Sequence, residues 1–221
     1  MNKTKLALTL SLITLTLPLA ALAHNPRLVE AGPAVEIKNP QVSQAFYGQL
    51  KNSYQEFKLN LAEPQSLYVN ILVPDQAGIK TAILAEVIKV KDSGRVVVGV
   101  LDGANFDWTT MYEPFGGDYY RQGPSFEQEL EAGQYLIHVS TYAQNEKYVL
   151  VVGKQESWPP SEIWQTLKTL PTIKNDFFGE PVWKAYFNYV GLMMLVVVLI
   201  LAVLIYLAYW FLKRKNGQAK G

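Results

Sequence analysis

Residues 54–73 read YQEFKLNLAEPQSLYVNILV, and the fold class is indicated most clearly here. Apolar side chains occupy every second position on both sides of Glu63-Pro64: Phe57, Leu59 and Leu61, then Leu67, Val69, Ile71 and Val73. Successive side chains of a strand point to opposite faces, so a period of two indicates strands with one buried face. A proline between two such runs favours a turn. The stretch therefore predicts two consecutive strands joined at Glu63-Pro64.

The same pattern continues along the chain. Further short strands are predicted at 83–90, 96–101, 126–130, 135–139 and 148–152, with a turn at 91–94. Residues 24–48 contain Pro26, Pro33 and Pro40, so we expect an irregular N-terminal segment with one helical turn near 41–47. Seven short strands separated by turn signals, with little helix between them, predict an all-β fold, an antiparallel β-sandwich spanning 24–157.

An uncharged apolar run near the end of the chain, 189–212, is followed at once by Lys213-Arg214-Lys215. As a helix it would measure about 36 Å, enough to cross a hydrocarbon core of about 30 Å. Basic residues at one end favour the cytoplasmic side, so residues 213–221 form a cytoplasmic tail and the sandwich lies outside. Because the run has a single glycine, Gly191, and no polar residue, we interpret it as a plain anchor in the lipid bilayer.

The beginning of the chain fits this topology. Lys3 and Lys5 precede an apolar stretch, and Ala21-Leu22-Ala23 has the small-x-small form of a cleavage site. Residues 1–23 are therefore predicted to be a signal peptide, which leaves His24 as the mature N-terminus. Residues 158–188, with a short helix and many aromatic residues, are expected to connect the sandwich to the anchor. We expect a single-pass cell-membrane protein with a periplasmic or surface-exposed domain.

Charge and cysteine content narrow the classes of function. Without the signal peptide and the tail, 14 basic residues stand against 19 acidic residues, a net charge of −5. A mildly acidic domain argues against a nucleic-acid partner. The chain has no cysteine, which excludes disulfides and thiolate chemistry. An exported domain without disulfides needs a hydrophobic core of its own.

Three stretches resemble the end of a bacterial pre-peptidase C-terminal domain: 119–126 (YYRQGPSF), 130–139 (LEAGQYLIHV) and 147–153 (KYVLVVG). Domains of that family are small extracytoplasmic β-sandwiches whose closing strands have this pattern. The resemblance covers about residues 54–153. It implies an accessory or binding module and not a catalytic one, and no protease domain accompanies it in this chain.

The first candidate site is segment 103–125, predicted as a long loop. It holds six aromatic residues within fifteen positions: Phe106, Trp108, Tyr112, Phe115, Tyr119 and Tyr120. Exposed aromatic side chains stack on sugars or anchor a protein partner, which makes the last five of these a candidate surface for a glycan or an envelope protein. The alternative is that they pack together as a small core beneath the loop.

Two metal sites are considered as further hypotheses. Asp102, Asp107 and Asp118, with Glu113, could supply carboxylate ligands to Ca²⁺, although their spacing also suits ordinary turns. A mature N-terminal His24 offers an imidazole and an α-amine to copper, and His138 is the only other histidine. Alternation along 135–139 places His138 on the outward face.

Other enzymatic signatures are weak. The sequence has no G-x-S-x-G elbow, phosphate-binding loop or dinucleotide fingerprint. Carboxylates are numerous enough that a carbohydrate-processing enzyme with a pair about 5 to 9.5 Å apart stays open. The favoured interpretation is a non-enzymatic binding or assembly module of the bacterial envelope without a cofactor. Copper binding through His24 and carbohydrate binding or processing are the alternatives.

Overall fold

A computed structural model of the protein describes residues 24–30, 32, 34–51, 54–141, 145–157 and 159–218. The predicted signal peptide, residues 1–23, lies outside the described residues. Eleven strands are described: β1 (Asn25–Leu28), β2 (Val35–Glu36), β3 (Gln44–Leu50), β4 (Tyr54–Leu61), β5 (Gln65–Pro74), β6 (Ile83–Lys91), β7 (Gly94–Asp102), β8 (Thr109–Glu113), β9 (Asp118–Leu130), β10 (Gly133–Thr141) and β11 (Glu146–Val152). Two α-helices follow, α1 (Pro160–Thr172) and α2 (Tyr189–Gln218).

The strands form two sheets that face each other as a sandwich-like body. The six-stranded sheet has the order β1-β3-β11-β5-β9-β8, and the five-stranded sheet has the order β2-β4-β10-β6-β7. Most neighbours are antiparallel, but β1 pairs with β3 and β2 pairs with β4 in parallel. The mostly-β prediction is confirmed, whereas a purely antiparallel arrangement is wrong at these two pairs.

The N-terminal segment is more regular than its prolines suggested. Residues 44–50 form β3 in place of the expected helical turn, and Asn25–Leu28 lies along it as an edge strand. Pro26 is tolerated because an edge strand has amide positions that need no ladder partner. Pro26 lies within β1 and Pro40 lies in the turn before β3, so these two prolines do not exclude strands.

The core lies between the two sheets. Val69 and Ile71 of β5, Val87 of β6 and Ile137 of β10 are fully buried there. Tyr135, Ile137 and Val139 point inward as the alternation predicted, and His138 is only half-buried. Strand β11 is buried on both faces, because its run YVLVV also packs against the C-terminal part of the chain.

That second contact comes from residues 160–188, hereafter the cover segment. It contains α1, a π-helical turn (Ile173–Phe177) and a 3₁₀ turn (Val182–Tyr186). Its apolar residues lie on the outer face of the six-stranded sheet, in a buried cluster of Ala45, Leu72, Tyr120, Val149, Val151, Ile173, Phe177 and Phe178. The segment predicted as a connector is thus a packed part of the domain.

Helix α2 follows directly. Its apolar portion, Tyr189–Trp210, has 22 residues with a mean hydropathy of 3.2, and only 6% of its most apolar stretch is buried within the molecule. The helix continues to Gln218, past the predicted end of the apolar run at Leu212 and into the predicted tail.

Candidate functional site

The segment predicted as a loop at 103–125 contains a β-hairpin. Strand β8 pairs with the start of β9 from Thr109↔Gln122 to Glu113↔Asp118, and the predicted strand 126–130 is only the end of the 13-residue β9. The hairpin turn ends at Gly117, whose positive φ of 71° suits glycine. We call residues 109–122 the aromatic hairpin. The prediction of a loop was wrong at this hairpin, because residues 109–113 (TTMYE) show too little alternation to indicate a strand.

Three of the predicted contact residues hold this hairpin in place. The indole Nε1 of Trp108 donates to the carbonyl oxygen of Gly103 at 2.8 Å, and its ring lies where a Cβ on Gly123 would come within 2.5 Å. Tyr120 is 2% exposed, and Phe115 packs beside Leu170 of the cover segment. These side chains are packing residues and are not part of an exposed surface.

Tyr112 and Tyr119 are different. They face each other across the two strands with ring centroids 4.9 Å apart, and they are 50% and 58% exposed. Both the packing hypothesis and the surface hypothesis thus describe part of the segment. The surface part is this one tyrosine pair, and its binding role stays a prediction.

The tip of the hairpin is attached to the beginning of the apolar helix. The backbone N–H of Tyr189 donates to the carbonyl oxygen of Pro114 at 3.3 Å, and the Asn188 amide donates to that of Gly116 at 2.9 Å. Oδ1 of Asn188 also accepts from the N–H of Gly191 at 3.1 Å, which caps the helix. We call residues 188–191 the helix head.

Close packing at this junction explains why residue 191 is a glycine. A Cβ placed on it would stand 1.5 Å from the carbonyl oxygen of Tyr186, so the preceding 3₁₀ turn packs directly on its backbone. The only glycine of the apolar run therefore serves contact within the chain. No larger residue fits without separating the helix from the cover segment.

A buried ion pair stabilises the same junction. Nζ of Lys174 lies 2.5 Å from Oδ1 of Asp118, and the two side chains are 2% and 5% exposed. Glu180 is a second, more exposed partner of Lys174 at 3.6 Å. Burial raises the pKa of Asp118, and the bond from Lys174 opposes this rise. The pair joins the base of the hairpin turn to the cover segment.

Glu113 stabilises the hairpin turn itself. Its carboxylate accepts from the backbone N–H groups of Phe115 and Gly116, at 2.8 and 2.7 Å. Loss of hydration raises the pKa of Glu113, while these two bonds lower it. Below the turn the hydroxyls of Tyr47 and Tyr120 lie 2.9 Å apart.

His24 lies beside this group. Its Nδ1 is hydrogen-bonded to the hydroxyl of Ser43. Burial of the imidazole lowers the pKa of His24 to about 4. It lines a cavity of about 30 Å³ together with Glu113, Asp118 and Thr166, whose buried hydroxyl has no partner among the described residues. This volume suits a water-sized occupant and no organic ligand.

The predicted metal ligands are not brought together. His138 lies on the five-stranded sheet, stacked on Tyr54 with its Nδ1 3.9 Å from Glu56, whereas His24 precedes the six-stranded sheet. A copper site built from both histidines is therefore not assembled. Within the described part of the chain, no group of three or more histidine or acidic residues has a metal-binding arrangement.

The acidic residues proposed for Ca²⁺ are also separate. Asp102 accepts from Ala104 and Asn105 in a local turn, and Asp107 is exposed nearby. Asp118 lies on the other, six-stranded sheet and is paired with Lys174 of the cover segment. Asp102 thus takes part in a turn and Asp118 in an ion pair, and Ca²⁺ binding by these carboxylates stays a prediction.

Two larger grooves lie away from the hairpin, with volumes of about 350 and 410 Å³. Glu30 and Asp176 line the first, and Glu36 and Glu162 line the second. Glu162 is paired with Arg27 at 2.7 Å. The carbohydrate-processing hypothesis remains a prediction.

Sequence reasoning missed Lys174 and Asn188. Asn188 stands directly before the apolar run, a position typical of a helix N-cap, so a local signal was present. Lys174 lies in an apolar context (LPTIKNDFF), but its partner Asp118 is 56 residues away in the sequence. Periodicity alone does not pair residues over such a distance.

No protein-family model and no curated protein matches the chain. Among solved structures, the chain is similar to the pre-peptidase C-terminal domain of collagenase from Bacillus anthracis, with 11% identity and a TM-score of 0.36. The match covers 56% of this chain and 97% of that domain. This is the kind of domain that the closing strands resemble.

Two other solved structures are similar. The mitogen derived from Yersinia pseudotuberculosis matches at 9% identity and a TM-score of 0.36, covering 54% of this chain and 92% of that one. A β-glucosidase from Paenibacillus barengoltzii matches at 10% identity and a TM-score of 0.26, covering 59% and 13%. These likenesses concern strand arrangement and carry no argument about activity or ligands.

Proposed function

We propose that the protein is a single-pass membrane protein that presents a pre-peptidase C-terminal-like sandwich outside the cell membrane, as a non-enzymatic binding or assembly module of the envelope. The apolar part of α2 would measure about 33 Å, which suits a bilayer core. A long apolar helix in the core of a soluble protein is mostly buried, whereas this one is exposed along its length.

The orientation follows from charge. Lys213, Arg214 and Lys215 come directly after the apolar run, and basic residues next to a span favour the cytoplasmic side. The sandwich, with its net charge of −5, then lies in the periplasm or at the cell surface. The partner is an envelope protein or a glycan.

The observation that carries the proposal is the attachment of the aromatic hairpin to the helix head. A flexible tether would leave the sandwich free to rotate relative to the helix. Here, Tyr189 and Asn188 donate hydrogen bonds to the carbonyl oxygens of Pro114 and Gly116. The buried ion pair Asp118–Lys174 stabilises the same junction. A domain attached in this way is presented at a set orientation to the bilayer. That property suits a module that assembles with a fixed neighbour.

Topology can be tested with single cysteines, because the chain has none. Asp92→Cys lies in the exposed turn between β6 and β7, and Lys220→Cys lies in the tail. In intact cells or spheroplasts, a membrane-impermeant maleimide should label the first variant and should label the second only after permeabilisation. The reverse pattern would contradict the orientation, and recovery of the chain in the soluble fraction after alkaline extraction would contradict the anchor.

A further inference from the structure

We propose that Tyr112 and Tyr119 contact the bilayer, so that the aromatic hairpin rests in the outer headgroup layer beside the helix that crosses it. This inference rests on the proposed function, because it needs α2 in a membrane. It replaces the glycan or protein surface predicted for the pair with a lipid surface.

Position is the first argument. Gly117 lies between the two elements: a Cβ on it would stand 3.1 Å from Cβ of Asn188 at the helix head and 3.7 Å from the hydroxyl of Tyr112. The hairpin tip and the first residue of the apolar run are joined by the bond from Tyr189 to Pro114. The tyrosine pair is therefore at the level where α2 enters the bilayer.

Exposure is the second argument. Three further aromatic side chains at this level are open to solvent: Trp183 is 59% exposed, Phe187 79% and Tyr189 50%. The rings of Trp183 and Phe187 are in edge contact at 5.3 Å. With Tyr112 and Tyr119 they make five exposed aromatic side chains in the hairpin and in the residues that lead into α2. A concentration of exposed large apolar side chains marks a contact surface.

The side-chain chemistry of these residues is the third argument, and it favours a lipid surface as the partner. Tyrosine and tryptophan have an apolar ring and a polar tip, and they are enriched where a span meets the headgroups. The nearby cations Lys174 and Lys184 are both paired with Glu180, so this end of the domain is not a cationic patch. We therefore infer contact through aromatic rings with zwitterionic lipid, independent of anionic headgroups.

The test uses the full chain in phosphatidylcholine nanodiscs, with one cysteine labelled by an environment-sensitive fluorophore. The positions are Tyr112→Cys, Tyr119→Cys, Leu199→Cys in the middle of α2, and Val97→Cys as the matched control. Val97 is 48% exposed, close to the value for Tyr112, but lies on the five-stranded sheet. Nitroxide-labelled lipids, with the quencher in the headgroup or deep in the acyl chain, report depth.

We expect headgroup nitroxide to quench the labels at 112 and 119 several-fold more than the label at 97, and deep nitroxide to quench the label at 199. Quenching should be unchanged by salt. If the label at 199 is quenched while the labels at 112 and 119 are quenched no more than the label at 97, the inference is overturned, but the proposed membrane anchor is retained. If 199 is not quenched, the proposed function itself fails.

A second variant separates lipid contact from label bulk. Gly191→Ala should displace the helix head from the 3₁₀ turn because of the close Tyr186 carbonyl. With this change, quenching at 112 should fall several-fold and quenching at 199 should persist. Unchanged quenching at 112 would show that the label inserts by itself, and it would contradict a hairpin positioned by the junction.

Discussion

The outer faces of the two sheets differ in what covers them. On the six-stranded sheet, Val149 and Val151 are at most 1% exposed, because Ile173, Phe177 and Phe178 of the cover segment lie on them. On the five-stranded sheet, Val97 and Val100 are 48% and 58% exposed. Each sheet has one face in the core, but only the six-stranded sheet has its second face covered by the described part of the chain.

It follows from this difference that α2 and the fold of the domain are not independent parts. The residues that cover the six-stranded sheet are those that lead into α2, so the covered face and the helix head form together. The buried pair Asp118–Lys174 lies where they meet. The bare sheet is available to solvent or a partner, and its edge strand β7 has only β6 as a neighbour among the described strands.

The largest effect on stability is expected from removing the buried ion pair on the covered, six-stranded sheet. Lys174→Met keeps a long apolar stem but leaves the Asp118 carboxylate buried without a cation, which should lower the free energy of unfolding by about 3–5 kcal/mol. Denaturant titration of the full chain in detergent micelles, followed by tryptophan fluorescence, measures this. Adding Asp118→Asn should recover part of the loss.

The matched control for that variant is Lys184→Met. Lys184 is 42% exposed and pairs with Glu180 at 3.0 Å, so its removal should change the free energy of unfolding by less than about 1 kcal/mol. Equal effects at positions 174 and 184 would refute a stabilising role for the buried pair.

A second effect depends on pH. Burial lowers the pKa of His24 in the folded protein to about 4, below the ordinary histidine value of 6.5. The unfolded chain therefore binds the proton first as pH falls, and His24 should remove about 3 kcal/mol of stability between pH 7 and pH 4. The raised pKa values of Glu113 and Asp118 act in the opposite direction, since their protonation favours the folded state.

Comparison with His24→Gln isolates the histidine, because both carboxyl groups are retained. The variant should lose less stability than the parent when unfolding is measured at pH 7 and again at pH 4. Parallel pH profiles for the two proteins would show that the imidazole is not buried in its neutral form.

The smallest effect compares the two faces directly. Val151→Thr places a hydroxyl in the covered cluster and should destabilise by about 1–3 kcal/mol, whereas Val97→Thr on the bare sheet should stay within about 0.5 kcal/mol. Both changes conserve size, so packing volume is matched. Similar losses at both positions would mean that another copy or segment covers the five-stranded sheet in solution.

The positions of most strands could be predicted from the sequence, because they depend on local patterns of apolar residues. Strands β4, β5, β6, β7, β10 and β11 lie where the sequence predicted strands, with clear alternation in β4, β5 and β10, and the turn between β6 and β7 falls at Asp92 and Ser93. Strand β8, with the sequence TTMYE, has too little alternation to be found alone. Its pairing with β9 places Tyr112 and Tyr119 together on one face of the hairpin and leaves Tyr120 on the other, against the cover segment.

Contacts between distant segments account for the rest. The run at 148–152 has apolar residues at consecutive positions, a sign of burial on both faces, but nothing local identifies residues 173–178 as the second layer. The bond from Asn188 to Gly116 joins residues 72 positions apart. The candidate site is assembled from such contacts, so only its residues, and not its geometry, could be predicted.

Strand β9 has one more consequence. It begins at Asp118, beside the helix head, and ends at Leu130, next to the turn at the other end of the sandwich. Thirteen residues of strand measure about 43 Å, and they are held in register by both β5 and β8 over their first part. A pull on the distal turn would therefore act along the length of β9 toward the helix head, and the irregularity between Asn70 and Leu72 is where the β5–β9 ladder is interrupted.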